Sequence, residues 1–220
     1  GTYASRSTVL AGGAAILGAR ELRRKVTAAA ALLMEAAPQD IDVREGRAVV
    51  RGTDRSMTFK ALAKAVYSDM GRLPHEQREA LELHAKSFYD PVFGTATPAT
   101  HLAMVEIDPG TCAVNLLRYV VADDCGRVIN PLIADGQIHG GVAQGVGVAL
   151  YEEVIHDARG QVLTASLVDY VLPAANEVPE MAVRHIQTGE PDNIGGFRGL
   201  GEGGTIGAPA AIANAVADAL

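Results

Sequence analysis

Residues 101–121 read HLAMVEIDPGTCAVNLLRYVV, and this stretch decides the fold class. From His101 to Ile107 apolar side chains alternate with others, the period of a half-buried strand. Asp108-Pro109-Gly110 breaks the pattern and Ala113 to Val121 resumes it, which predicts an antiparallel hairpin. Downstream, residues from about Pro131 to Glu153 read as helix, Val162 to Tyr170 and Met181 to Ile186 read as strands, and Pro209 opens an apolar helix running to Leu220. Upstream, Leu10 to Met34 carries a helical stripe of Ile16, Leu17, Leu22, Val26, Leu32 and Leu33, with Arg20, Glu21, Arg23, Arg24 and Lys25 outside it. After Pro38, Ile41-Asp42-Val43 and Ala48-Val49-Val50 flank Glu45-Gly46 as a short hairpin, and Thr58 suits the N-cap of a helix through about Ser68. Gly71 to about Leu83 is polar and reads as a connection. Hairpins and packed helices without strict strand-helix alternation predict an α+β fold. Pro91 and Thr95-Ala96-Thr97-Pro98 divide it into α+β portions at 1–98 and 99–220.

Composition narrows the function classes. With 220 residues, 48% apolar residues and 24 glycines, the chain has the makings of a globular core and not of a disordered tail. Its 26 acidic against 19 basic residues give a formal charge of -7, a field that opposes duplex nucleic acid. Cys112 and Cys125 stand without a CxxC pair or metal-ligand cluster and read as reduced thiols of a cytoplasmic protein. There is no secretory signal pattern and no apolar run near the roughly 20 residues of a membrane span. The chain opens Gly1-Thr2-Tyr3 without Met and its last residue still reads as helix, the pattern of a segment from something longer.

Three places carry candidate chemistry. Glu202 sits in Gly201-Glu202-Gly203-Gly204, where glycines allow unusual backbone angles and close ligand approach. It is either an exposed loop acid or a general base held near a proton it removes. Ser5-Arg6-Ser7-Thr8 precedes the first long helix, where free N–H groups and hydroxyls cap the helix or hold a phosphate. Gln137 opens a glycine-rich run to Gly147; its amide can read a cofactor edge, or the run is a close-packed helix, and Gln144 lies two helical turns further on. His101 and His139 read as structural or surface residues. Cys125, in Asp123-Asp124-Cys125-Gly126-Arg127-Val128-Ile129-Asn130-Pro131, has no adjacent histidine to activate it.

Taken in order, Ala4-Ser5-Arg6-Ser7-Thr8, Asp124 to Pro131, Gly136-Gln137 to Gly147, Gly201-Glu202-Gly203 and Asn214 to Leu220 resemble the C-terminal part of a known large subunit. It is the molybdenum-cofactor-binding large subunit of the xanthine dehydrogenase and aldehyde oxidase family. Gly203-Gly204, in place of the paired prolines of many such oxidases, resembles the carbon monoxide dehydrogenase-like branch. The resemblance implies that Glu202 is the general base beside molybdenum. It implies that Ser5, Arg6, Ser7 and Thr8 hold the phosphate or cytosine dinucleotide end of a molybdopterin, and that Gln137 hydrogen-bonds near the metal. No protein side chain ligates the metal in this family.

The implied activity is molybdenum-dependent hydroxylation of an electron-poor carbon of an aromatic N-heterocycle or aldehyde, with oxygen derived from water. The implied partners are the remainder of the large subunit, an iron-sulfur subunit or domain with [2Fe–2S] clusters, and an FAD subunit or domain, since two cysteines cannot ligate such clusters. The chain is then an incomplete enzyme by itself. A non-catalytic assembly or cofactor-binding module of the same fold, and a phosphate-binding protein, are the alternatives that the residues leave open.

Overall fold

Tyr119 and Val121, two residues apart on one strand, are fully buried and anchor the larger packing unit. The computed structural model describes residues 3–69, 71, 73–77, 80–91, 95–189 and 192–220. These form two compact units, one of Gly1–Leu10 with Pro91–Leu220, the other of Ala11–Asp90. The sequence division at 98/99 falls inside the first of them. There Thr95 and Thr97 donate hydroxyl hydrogen bonds to the carbonyls of Ala4 and Gly199, and Asp124 N–H bonds Pro98 O at 3.0 Å.

In the smaller unit, helix α1 (Gly13–Leu33) lies over a three-stranded sheet in the order β1 (Ile41–Arg44), β2 (Arg47–Val50), β3 (Ser56–Thr58). Glu45 and Gly46, at φ 46° and 70°, make the tight turn between β1 and β2, which requires two left-handed residues. Helix α2 (Phe59–Tyr67) starts as its sequence predicts, with the Thr58 hydroxyl accepting from Ala61 N–H at 3.2 Å. Val26, Ala29, Ala30, Ile41, Ala48, Leu62 and Val66 form its core. Strand β3 is too short for a periodicity reading. Residues 72, 78 and 79 of the polar connection lie outside the described residues, as do Gly1 and Thr2.

In the larger unit the predicted hairpin is present as β4 (Ala99–Ile107) and β5 (Val114–Asp123), with a register shift between Met104 and Val105. Asp108 Oδ1 accepts from the N–H groups of Gly110 and Thr111 at 2.7 and 2.9 Å, which closes the turn. β6 (Met181–His185) adds to β5 in parallel, with Tyr119 opposite Met181 and Asp123 opposite His185. Val162 to Tyr170 is not a strand. Only Val162 bridges His156, and Ser166 turns the chain by accepting the N–H groups of Asp169 and Tyr170 on its carbonyl. The Ser166 hydroxyl also donates to Asp169, a local bond that competes with extension.

Helix α3 (Pro131–Leu150) is capped by Asn130, whose Oδ1 accepts from Ile133 N–H. Ile138, Val142 and Val146 repeat every four residues and are fully buried; burial stabilises each by about 1.5–3 kcal/mol. The short helix α4 (Gly203–Ile206) and helix α5 (Ala208–Ala219) pack against α3. This contact needs glycine, since a Cβ on Gly145 would stand 2.4 Å from Ala208 Cβ, and one on Gly141 2.9 Å from Gly204 Cα. Among the described residues no helix is long and apolar enough to cross a membrane. Gly145→Val should lower the unfolding free energy by about 1–3 kcal/mol through overpacking, measured as a shift of the urea midpoint.

Candidate functional site

Glu202 follows Leu200-Gly201 on a turn that leads straight into α4, and its own carbonyl accepts the N–H groups of Thr205 and Ile206 at 3.0 and 3.1 Å. The side chain is exposed and lines a cavity of about 240 Å³ with Ser5, Thr95, Thr97, Gly201 and Ile206. Glycines surround the acid, so its main chain has little stiffness of its own. The stiffness comes from elsewhere. Ser5 Oγ accepts the N–H groups of Leu200 at 3.1 Å and Gly201 at 2.6 Å. Gln137 Nε2 donates to Gly201 O at 2.7 Å. Two sequence motifs on opposite sides of the hairpin thus hold both polar atoms of the residue before Glu202.

The approach is as close as it is polar. A Cβ on Gly201 would lie 2.8 Å from Ser5 Oγ, and one on Gly199 2.5 Å from Thr95 O. Ala4 and Ser5 both stand at φ 52°, the left-handed conformation that turns the Ser5 hydroxyl into this bend. Beyond Glu202, the Thr205 hydroxyl donates to Gly141 O at 3.1 Å and reaches Gln144 Oε1 at 3.4 Å. Gln137 and Gln144 therefore face the same turn from successive levels of α3. His101 Nε2 lies 3.0 Å from Gly203 O, and its Nδ1 lies 2.9 Å from the Tyr119 hydroxyl.

The other residues singled out in sequence lie further along. Arg6 stacks its guanidinium 3.7 Å from the centre of the Tyr3 ring. Ser7 opens a π-helical segment, Ser7–Gly12. Thr8 lines a second cavity of about 270 Å³ with Arg127, Asn130, Ile133, Phe197 and Arg198, beside the N-terminus of α3. His139 turns its Nδ1 to Asp135 O at 2.7 Å and stays on the surface.

The Asp123-Asp124-Cys125-Gly126 entry frames this region. Asp124 Oδ1 accepts Gly126 N–H at 3.0 Å, its other oxygen accepts the Thr188 hydroxyl, and Arg198 lies 3.9 Å away. Burial pushes the Asp124 carboxyl up, but Thr188, Gly126 and Arg198 outweigh it and hold it below its ordinary value. Gly126 at φ 67° lets Arg127 N–H reach Gly196 O at 2.8 Å, while Arg198 N–H bonds Cys125 O at 2.9 Å. The turn thereby carries the strand end that leads into Gly199.

One cluster has no signature in the sequence. Among the described residues, Asp123, Cys125 and His185 bring ligand-capable atoms within 4.8 Å of one another. His185 Nδ1 lies 2.7 Å from Asp123 Oδ1 and Nε2 3.0 Å from Asp135 Oδ1, so carboxylates occupy both ring nitrogens. Burial and the neighbouring Asp123 carboxylate push the Cys125 thiol up to about 11, which keeps it protonated at neutral pH. Such a set pins β6 to α3 in its present arrangement. Its members come together only because β5 and β6 pair in parallel, a pairing between segments about 60 positions apart.

The family described as "Molybdopterin cofactor-binding domain" matches residues 1–179. The nicotine 6-hydroxylase large subunit of Paenarthrobacter nicotinovorans is 39% identical over 222 residues, covering 100% of this chain and 27% of that protein. The carbon monoxide dehydrogenase large chain of Hydrogenophaga pseudoflava is 36% identical over 219 residues, again 100% of this chain and 27% of that protein. The crystal structure of quinoline 2-oxidoreductase from Pseudomonas putida 86 superposes with a TM-score of 0.86 at 38% identity, covering 100% of this chain and 28% of that one. The chain thus spans little more than a quarter of the length of these relatives.

Asp124→Asn tests the frame around the Glu202 turn. It should cost about 1–3 kcal/mol at neutral pH, because a buried charged acceptor is lost. A carboxyl held below its ordinary value of 3.8 contributes stability that is complete above that value and lost as pH falls through the lowered one. The stability gap between wild type and variant, followed by denaturant titration, should therefore close on acidification below about pH 4.

Proposed function

Because this chain belongs to the molybdopterin cofactor-binding domain family, homologous to the large subunits of xanthine dehydrogenase, aldehyde oxidase and carbon monoxide dehydrogenase-like enzymes, we propose that it is the Glu202-bearing part of a molybdenum hydroxylase. The observation that carries this reading is the convergence of Ser5 and Gln137 on Gly201, directly before Glu202. An ordinary surface acid has no need of two distant side chains holding its main chain.

The residues present fit the cofactor. The Glu202 cavity is walled by glycine backbone and the hydroxyl residues Ser5, Thr95 and Thr97, with no thiol or imidazole among its lining residues. That donor set suits a group whose metal rides on its own pterin sulfurs, and glycine lets a planar ring approach main-chain N–H and C=O groups. Ser5 Oγ accepts two N–H bonds and keeps its own hydrogen for donation. Thr8, with Arg127 and Arg198 at the start of α3, lines a cavity whose charge suits a phosphate-bearing tail, in monophosphate or cytosine dinucleotide form. In this reading Arg6 and Ser7, which precede Thr8 in the chain, complete the phosphate-binding segment.

When bound, the cofactor supplies the two-electron oxidation and the water-derived oxygen. Glu202 takes up the proton released as oxygen adds to the substrate carbon. Ser5 and Gln137 fix the carboxylate's main chain so that little reorganisation accompanies the transfer. The substrate class is an aromatic N-heterocycle or aldehyde, and the complete cytoplasmic enzyme adds the remainder of the large subunit with iron-sulfur and FAD partners. Nicotine and quinoline, in the names of two relatives, are both N-heterocycles, which supports the first class.

Glu202→Gln keeps the shape and removes the base. In the assembled enzyme this variant should retain molybdenum at wild-type stoichiometry and lose activity by at least about a hundredfold. Near-normal turnover by the cofactor-loaded variant would overturn the assignment.

A further inference from the structure

We propose that His101 is a positioning residue for Glu202, acting with Tyr119 through the carbonyl of Gly203. The inference rests on the reading of Glu202 as the base and extends it to a residue that sequence assigns to a strand alone.

The carbonyl of Gly203 fixes the direction of one hydrogen bond and, with the ring neutral, that fixes the other. Gly203 O only accepts, so Nε2, 3.0 Å away, carries the hydrogen. Nδ1 is then a lone pair and accepts from the Tyr119 hydroxyl at 2.9 Å. Tyr119 is fully buried and burial pushes its hydroxyl up to about 12, so it remains a donor throughout the neutral range. The two rings meet edge to face, centroids 5.8 Å apart at 74°. A buried phenol on β5 thus selects the imidazole tautomer on β4, and that tautomer holds the first residue of α4.

The Gly203 carbonyl needs such a partner. α4 is one turn long, with the N–H of its cap residue Gly207 directed to Thr205 O, so its backbone has few hydrogen bonds of its own to hold Gly203. The ring also fills the space beneath the far end of the turn: a Cβ on Gly207 would stand 2.5 Å from His101 Cδ2. Ser5 and Gln137 hold the chain before Glu202, while His101 holds it immediately after. Without the last contact the nearest side-chain anchor after Glu202 is Thr205, three residues on, and displacements near 1 Å cost on the order of a hundredfold in rate.

The test compares His101→Leu, His101→Gln and Tyr119→Phe in the intact, cofactor-loaded enzyme, with Glu202→Gln as the reference. The glutamine amide can reach Gly203 O as Nε2 does; leucine cannot. His101→Leu should lower kcat about tenfold or more with KM within about twofold and molybdenum content unchanged, and His101→Gln should restore kcat to within about threefold of wild type. Tyr119→Phe should fall between them. Amide hydrogen exchange at 203–206 should speed up in His101→Leu while exchange in the middle of α3 stays as it was. In the Glu202→Gln background His101→Leu should add no further loss, since a residue acting through the base has nothing left to position.

Wild-type kcat in His101→Leu, or a His101→Gln variant as impaired as His101→Leu at full molybdenum content, overturns the proposal. So does an additive loss in the double variant. If Glu202→Gln itself stays active, the base assignment fails and this inference with it, while the exchange data still report whether His101 restrains the turn. The two failures are therefore separable.

Discussion

Both main-chain polar groups of Gly201 are held by side chains from elsewhere, and the candidate site depends on that. An N–H satisfied by Ser5 and a carbonyl satisfied by Gln137 leave the turn one backbone direction, and Glu202 continues from it. Glycine makes this possible and also makes it necessary. Any side chain on Gly201 would collide with Ser5 Oγ, yet a bare glycine run without those bonds would wander through many conformations before folding. The rigid scaffold is the α3 core of Ile138, Val142 and Val146, which fixes Gln137 by placing its helix.

Much of this was legible in the chain. Alternation from His101 to Ile107 and again to Val121 marked the hairpin, because period-2 burial leaves a local trace. Thr58 behaved as a cap because its contact lies within three residues. Gln137 and Glu202 stood out through their glycine neighbours. What stayed hidden has one cause. The Ser5 bond to Gly201, the His101 bond to Gly203 and the Asp123-His185 pair each join residues separated by at least 62 positions, and no local pattern encodes such meetings. Val162 to Tyr170 misled for the converse reason, since its β-rich composition yields to the turn that Ser166 makes locally.

Two kinds of polar burial also separate in this unit. At Glu202 the polar groups are main chain, glycine-lined and open to a cavity, an arrangement with room for a ligand. At Asp123, His185 and Asp135 they are side chains paired with each other through His185, with Asp123 Oδ2 buried and without a hydrogen bond. Both rest on β5. Tyr119 leads through His101 to the α4 turn, and Asp123, four residues on, leads through His185 to α3. One strand therefore sets the register of the Glu202 turn and supporting helix together.

The meeting of Ser5 with Leu200 and Gly201 has a consequence for biosynthesis. The partners are 195 and 196 positions apart, and the unit Ala11–Asp90 intervenes between them. During synthesis at about 5–20 residues per second, Ser5 waits some ten seconds or more for its two N–H donors to be made. The intervening unit has its own core and its own local hairpin, so it can condense meanwhile. The Gly201 turn is then completed only after Leu200 has been made, later than the core of the intervening unit can form.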